Sequence, residues 1–269
     1  AFRFFLGKIH QKRFWNNFKT NSLSMRSAEL NPNTKIRILG FGDSVLNGNT
    51  NIDQDSLATE ILNVNVCKKL NQTVEFLNVS AGSWGPDNAF AYLEKHGNFS
   101  CEMIVLVFSS HDLFDKMLNI KYAGVAEDYP DKNYSFALSE IYYRTVKPKL
   151  FGSFYDEDFI PEIDNSRNYQ RKIYEGECQG FVNFFNYCKL KNIKIMGYLH
   201  PDFIEMSNGE YNIWGKRIID IYKENKVPLI LGLNYEKQNG YLDNIHLNNT
   251  GQKYLANALY ENILPSLNE

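Results

Sequence analysis

Three residues, Ser44 and, about 200 positions downstream, Asp243 and His246, are of the types needed to cleave an acyl bond. Ser44 stands in Gly42-Asp43-Ser44-Val45, directly after the apolar run Ile36 to Phe41, so a strand hands over to a loop at a hydroxyl. A serine hydroxyl is a weak nucleophile until a neighbouring base takes its proton, and an imidazole, which titrates near neutrality, is the usual base. A carboxylate then holds the ring in the right tautomer and stabilises its charged form. Asp243-Asn244-Ile245-His246 offers both groups from one short loop about 200 residues downstream. The three-residue offset lets the carboxylate turn back onto Nδ1 while Nε2 faces the serine. Asp-x-x-His alone is a frequent surface-turn pattern, and its weight here comes from position, after the last candidate strand and before the last candidate helix.

A tetrahedral intermediate also needs donors for its oxyanion, each worth roughly 3 kcal/mol when preorganised. The backbone amide of Ser44 is one candidate. Gly82, in Asn78-Val79-Ser80-Ala81-Gly82-Ser83-Trp84-Gly85, is a second, because a residue without a side chain permits close approach. Gly82 also reads as an ordinary turn residue.

These groups must be positioned by an alternation of short apolar runs and helical periodicity, the pattern of a parallel sheet covered on both faces. Candidate strands are Ile36 to Phe41, Val74 to Val79, Met103 to Phe108, Ile193 to Leu199 and Pro228 to Leu231. Candidate helices are Ser56 to Leu70, Asp87 to His96, Tyr169 to Leu190, Tyr211 to Asn225 and Thr250 to Leu264. The fold class expected is α/β, three layers with a flavodoxin-like five-stranded parallel sheet. An insertion at about 113–168, rich in Tyr, Asp and Lys, follows the third strand. Ligands bind beyond the carboxyl ends of strands in such sheets, so the insertion is placed to shape a pocket, or else only decorates the fold. Tyr142, Tyr143 and Arg144 lie in it without an assignable role. Residues 1–34 form a basic and aromatic N-terminal extension, and 35–269 the catalytic domain.

On these residues the chain resembles the SGNH, or GDSL-type, hydrolase family over about Lys35 to Leu264. Gly42-Asp43-Ser44 is similar to the family's first block, Gly82 to its second, and Asp243-x-x-His246 with Leu247, Asn248 and Gly251 to its fifth. The resemblance implies Ser44 as nucleophile, His246 as base, Asp243 as its orienter and Gly82 as oxyanion donor. The third block departs from the pattern. Gly-x-Asn-Asp is expected after Met103 to Phe108, and the chain has Ser109-Ser110-His111-Asp112. His111 stands where the family's asparagine donates to the oxyanion; a ring N–H can replace that amide, contact substrate, or serve structure alone. Asp112 either fixes that ring or caps the next segment. Leu46 stands where the second glycine of a Gly-x-Ser-x-Gly elbow would be, which separates the chain from the α/β-hydrolases.

Bulk properties narrow the partners. A net charge of -2 and a pI near 6.3 give no electrostatic footprint for nucleic acid. The longest purely apolar run, Met103 to Phe108, is six residues, against about 20 needed to span a bilayer. The opening stretch Phe2 to Lys19 interleaves aromatic and basic residues, as a membrane-proximal helix or one docked on a domain would. The start at Ala1 fits a chain whose targeting segment has been removed, and the lean is extracytoplasmic or secreted. Cys67, Cys101, Cys178 and Cys188 lack Cys-x-x-Cys spacing and read as free, mostly buried thiols, with Cys178 and Cys188 on one helix. His10 and His96 have no ligand-spaced partners, so no metal and no cofactor are expected. His200, before Pro201, reads as a turn histidine; Trp84 and Trp214 read as packing residues before sugar-stacking ones.

Three functions compete. The first is a serine esterase removing a small acyl group, acetyl before others, from a carbohydrate or related ester. The second is an O-acyltransferase with the same triad, a sugar hydroxyl of an extracellular or cell-wall polysaccharide replacing water. The third is a carbohydrate-binding domain without activity, which the presence of all three triad members argues against.

Overall fold

The structure, a computed structural model, describes residues 16–116, 136–142, 146–147 and 176–267. The chain divides into two compact units, Ala1–Met117 with Glu177–Glu269, and Leu118–Gly176. In the second, the described residues include a short helix, Ala137–Ile141. Tyr143, Arg144 and His10 lie outside the described residues.

The first unit carries the site. Its strands are β1 (Ile36–Gly42), β2 (Val74–Ser80), β3 (Met103–Ser109), β4 (Lys194–His200) and β5 (Leu229–Leu231). All pair in parallel, in the order β2-β1-β3-β4-β5. Its helices are α1 (Ser44–Asn47), α2 (Ala58–Leu70), α3 (Pro86–His96), α4 (Gly180–Lys191), α5 (Phe203–Asn208), α6 (Ile213–Glu224) and α7 (Asn249–Leu267).

Both sheet faces are buried, which is why the strands are near-continuous apolar runs. Along β3, Ile104, Leu106 and Phe108 pack with Ala89 and Leu93 of α3, Phe181 and Phe184 of α4, and Ile218 and Tyr222 of α6. Met103, Val105 and Val107 point the other way, to Leu62 and Val66 of α2 and Leu255 and Leu259 of α7. The alternation of strand side chains therefore produces three layers, α/β/α, around a flavodoxin-like sheet.

Register then brings the chemistry to one edge. Gly42, the last residue of β1, aligns with Ser80 of β2 and Val107 of β3, so the segments that leave these strands start side by side. The neighbours of β1 are connected in opposite directions, which makes its carboxyl end the crevice at which ligands bind in such sheets. Gly42 is required there. A Cβ on it would lie 2.7 Å from the Val107 carbonyl oxygen and 2.8 Å from the Leu46 Cβ, because α1 folds back over the strand end.

Several expectations need correction. Cys178 and Cys188 do not share a helix, since α4 begins at Gly180; both thiols are free and buried. The part of the Tyr169 to Leu190 candidate up to residue 175 lies outside the described residues. His200 is no turn residue but the fully buried end of β4. Met25, Arg26 and Ser27, placed by sequence in an extension, are buried in the first unit, and residues 16–34 are not helical. Helices α1 and α5 were not anticipated. α5 had a legible signal, a capping box in which Asp202 accepts from the Glu205 amide at 2.8 Å and Glu205 accepts from the Asp202 amide at 2.9 Å.

Candidate active site

Ser44 opens α1 immediately after β1, with Asp43 as the capping residue; the Asp43 side chain accepts from the Val45 amide at 2.8 Å. A four-residue helix has too few internal bonds to hold itself, so its carbonyls are tied from outside. Asn78 Nδ2, in β2, donates to the Leu46 carbonyl at 2.8 Å, and Gln252 Nε2, in α7, donates to the Val45 carbonyl at 2.9 Å. Asn47 Nδ2 in turn donates to the Ser80 carbonyl at 2.9 Å. Gly48, at φ 68°, ends the helix in the left-handed region. None of these amides was singled out in the sequence. The only signal was a polar residue among the apolar positions of β2 and on the buried face of α7, Asn78 and Gln252 both being completely enclosed.

The Asp243–His246 loop reaches the serine from the far end of the chain. His246 Nε2 lies 3.0 Å from Ser44 Oγ, and His246 Nδ1 lies 2.8 Å from Asp243 Oδ2. Asp243 Oδ1 accepts from the Ile245 and His246 amides at 2.9 and 2.8 Å. Partial burial pushes the Asp243 carboxyl up, but these two amides and the His246 ring outweigh it and hold the group below its ordinary value. The loop is closed by a bridge between Tyr241 and Leu247 and by the Leu242 amide donating to the His246 carbonyl at 2.7 Å.

Beneath it lies a buried polar cluster. His200 Nδ1 is 2.8 Å from Glu236 Oε1, and His200 Nε2 is 2.8 Å from the Ile245 carbonyl oxygen. Tyr198 and Tyr241 donate to Glu236 at 2.6 and 2.7 Å. Both ring nitrogens of His200 face acceptors, so the doubly protonated ring satisfies both contacts. Burial alone would lower the His200 pKa, and Glu236 and the Ile245 carbonyl more than reverse this, raising it.

The expected oxyanion donors stand at neighbouring strand ends. Among the described residues, neither the Ser44 nor the Gly82 amide donates to a protein acceptor. Gly82 is exposed, and the nearest atom to a Cβ built on it is Asn49 Oδ1 at 3.5 Å, so surrounding protein does not demand a glycine there. His111 lies in the turn Ser110–Phe114 after β3, about one-third exposed, with Nε2 3.6 Å from Asp112 Oδ1. Asp112 both caps and approaches that ring, since its Oδ2 accepts from the Ser109 amide at 2.6 Å. Burial pushes the Asp43 carboxyl up, opposed first by His111, then by the Val45 amide, His200 and His246. His111 lies beside Asp43, the residue that precedes Ser44. Asp43, His111 and Asp112 offer ligand atoms within 4.8 Å of one another, a possible cation group among the described residues that the sequence had not suggested. Three groups, with one oxygen of each carboxylate already accepting from an amide, fall short of a closed four-ligand zinc site.

No protein-family model and no curated protein matches the sequence. Solved structures do match. The crystal structure of TesA superposes with a TM-score of 0.51 at 12% identity, over 85% of this chain and 98% of that one. An acetyl xylan esterase, AlAXEase, gives 0.48 at 16% identity over 84% and 98%, and a member of the lipolytic protein G-D-S-L family from Veillonella parvula DSM 2008 gives 0.46 at 12% over 85% and 98%. The fold is that of the SGNH hydrolases. Identities this low concern the fold alone. Elsewhere in the unit, Trp84 packs against Tyr92 and Trp214 against Phe114, each with ring centroids 5.7 Å apart, and His96 stacks on Tyr92. No helix of the described residues is long and apolar enough to cross a membrane.

Proposed function

We propose that the chain is a serine ester hydrolase of the SGNH type that removes a small acyl group, acetyl before others, from a carbohydrate or related ester. The observation that carries this reading is the unbroken chain from Ser44 Oγ through His246 to Asp243, at 3.0 and 2.8 Å. Hydrogen-bond distances of this size let a base take the serine proton as the oxygen attacks. In the first step Ser44 Oγ bonds to the ester carbonyl carbon while its proton passes to His246 Nε2. The oxyanion then lies against the Ser44 and Gly82 amides, which have no other acceptor among the described residues, with the His111 ring as the third donor. His246 returns the proton to the leaving alcohol, and the carbonyl re-forms as the acyl-enzyme. Water, deprotonated by His246, releases the acid and restores Ser44. Asp243, kept ionised by two amides, stabilises the imidazolium throughout.

Hydrolysis of p-nitrophenyl acetate by the wild-type chain, absent in Ser44→Ala, tests this reading. A Ser44→Ala chain as active as its parent would overturn it. Addition of oligosaccharide acceptors measures partition between water and sugar hydroxyls, and acyl transfer in excess of hydrolysis would make the chain an acyltransferase instead.

A further inference from the structure

The first unit has a cleft of about 560 Å³, lined in part by Gly82. Three segments converge on it. Phe18, Thr20 and Ser24 come from the stretch before β1, Asn47 from the end of α1, Asn49, Thr50 and Asn51 from the loop after it, and Ser80, Ala81 and Gly82 from the end of β2 and the turn beyond it. Of the lining side chains able to hydrogen-bond, all are amides or hydroxyls, and no Lys, Arg, Asp or Glu of the described residues lines it.

A cation nevertheless lies nearby, and its placement explains the neutral lining. Arg26 is fully enclosed and donates to the backbone carbonyls of Asn47, Asn49 and Ile52, with its guanidinium 4.4 Å from the Phe18 ring centroid. Burial lowers its pKa to about 10, with Asp53 and Glu60 acting against that fall. The charge is spent on holding the 47–52 backbone and presents nothing to a ligand. Further bonds fix the same wall, from Asn16 Nδ2 to the Thr50 carbonyl at 2.8 Å and from the Asn17 amide to Asp53 Oδ2 at 2.9 Å. Asn49 and Ser24 both sit at positive φ, 46° and 64°, on two walls of the cleft.

We propose that this cleft is the subsite for an uncharged sugar residue of the ester substrate, with Asn49, Thr50 and Asn51 as its hydroxyl-binding wall and Phe18 as an apolar platform. The proposal rests on the esterase reading of the same site. A carboxamide carries two N–H donors and one acceptor, matching vicinal sugar hydroxyls that both give and accept. An aromatic ring covers the C–H face of a pyranose. A uronate carboxylate would find no cation on this lining to pair with. Asn49 Oδ1, close to the Cβ position of Gly82, joins this wall to the oxyanion side of the site.

Ser44→Ala protein, which cannot turn over, is titrated by calorimetry with O-acetylated xylotriose and with O-acetylated trigalacturonate. The neutral trisaccharide binds at least tenfold more tightly than the uronate, and Asn51→Ala in the same background weakens it at least tenfold. Thr50→Val, which keeps side-chain shape, does the same to a lesser degree, and unchanged melting temperatures show that both variants are folded. Equal affinity for the two sugars, no binding of the neutral one, or unchanged affinity in both variants would overturn the subsite. Failure of the esterase reading shows separately, as wild-type protein that binds xylotriose yet leaves p-nitrophenyl acetate intact.

Discussion

At the residue scale the account stands on three side chains and a set of donors, each with a separable effect. Ser44→Ala and His246→Ala are expected to lower kcat for p-nitrophenyl acetate by about 10⁴-fold or more, with KM little changed, since both act in the transition state. Asp243→Asn keeps the shape but removes the charge beside Nδ1, and a loss of about 10²–10⁴-fold is expected. The carboxyl of Asp243 is held below its ordinary value of 3.8, so it remains ionised as pH falls to that value. A pH–rate profile of kcat/KM should therefore show no limb from Asp243 above pH 4. His111 gives the sharpest residue-level test. If its ring donates to the oxyanion, His111→Ala costs about 10²–10³-fold in kcat while His111→Asn, which restores the amide of the family pattern, recovers most of it. Equal activity in wild type and His111→Ala would leave the ring to Asp43 and Asp112 alone. The approach of Ser44, His246 and Asp243 was legible in the sequence because a hydroxyl, an imidazole and a carboxylate stand where the strand pattern brings them to one edge, Asp-x-x-His gaining its weight from that position. The amide pins were not, because Asn78 and Gln252 act through burial, which residue type does not encode.

At the element scale, buried polar groups help position the Asp243–His246 loop and α1. Gln252 joins α7 to the Val45 carbonyl and to the Ala58 amide, which donates to its Oε1 at 2.9 Å. Gln252→Leu leaves both backbone groups enclosed without a partner, at about 1–3 kcal/mol each, and chemical denaturation should show that loss. The His200–Glu236 cluster carries a pH signature. The folded pKa of His200 lies above its ordinary value of 6.5, so its contribution is fully present below that pH and is lost as pH rises through the raised folded value. Within that window the unfolding free energy should fall by about 1.4 kcal/mol per pH unit from this group, a slope that His200→Gln removes. Identical pH slopes in the two proteins would show that His200 is not charged in the native state. Strand positions were legible because both sheet faces are buried, leaving apolar runs such as Met103 to Phe108. α1 was not, since four residues carry no periodicity, and its helix exists because Asn78, Gln252 and Gly48 close it.

At the scale of the whole molecule, a sheet whose carboxyl edge gathers the ends of β1, β2 and β3 places Ser44, Gly82 and His111 in neighbouring segments, and the segment between β5 and α7 brings the Asp243–His246 loop to Ser44. The stretch before β1 belongs to this assembly. Removal of residues 1–34 would strip Met25 from the core and leave the Asn47, Asn49 and Ile52 carbonyls without Arg26. The shortened chain is expected to lose cooperative thermal unfolding or to melt at least 10 °C lower, several kcal/mol being the scale for an emptied buried site. In sequence the aromatic and basic composition of residues 2–19 looks separable, and the buried role of Arg26 is not legible there because it depends on carbonyls turned toward it by a loop more than 20 residues away. The central claim, a serine activated by His246, is tested most directly by covalent labelling. Incubation with an alkyl fluorophosphonate followed by peptide mass spectrometry should place one adduct on Ser44 in the wild-type protein and none in His246→Ala. Labelling of another serine, or equal labelling of Ser44 without His246, would contradict the account.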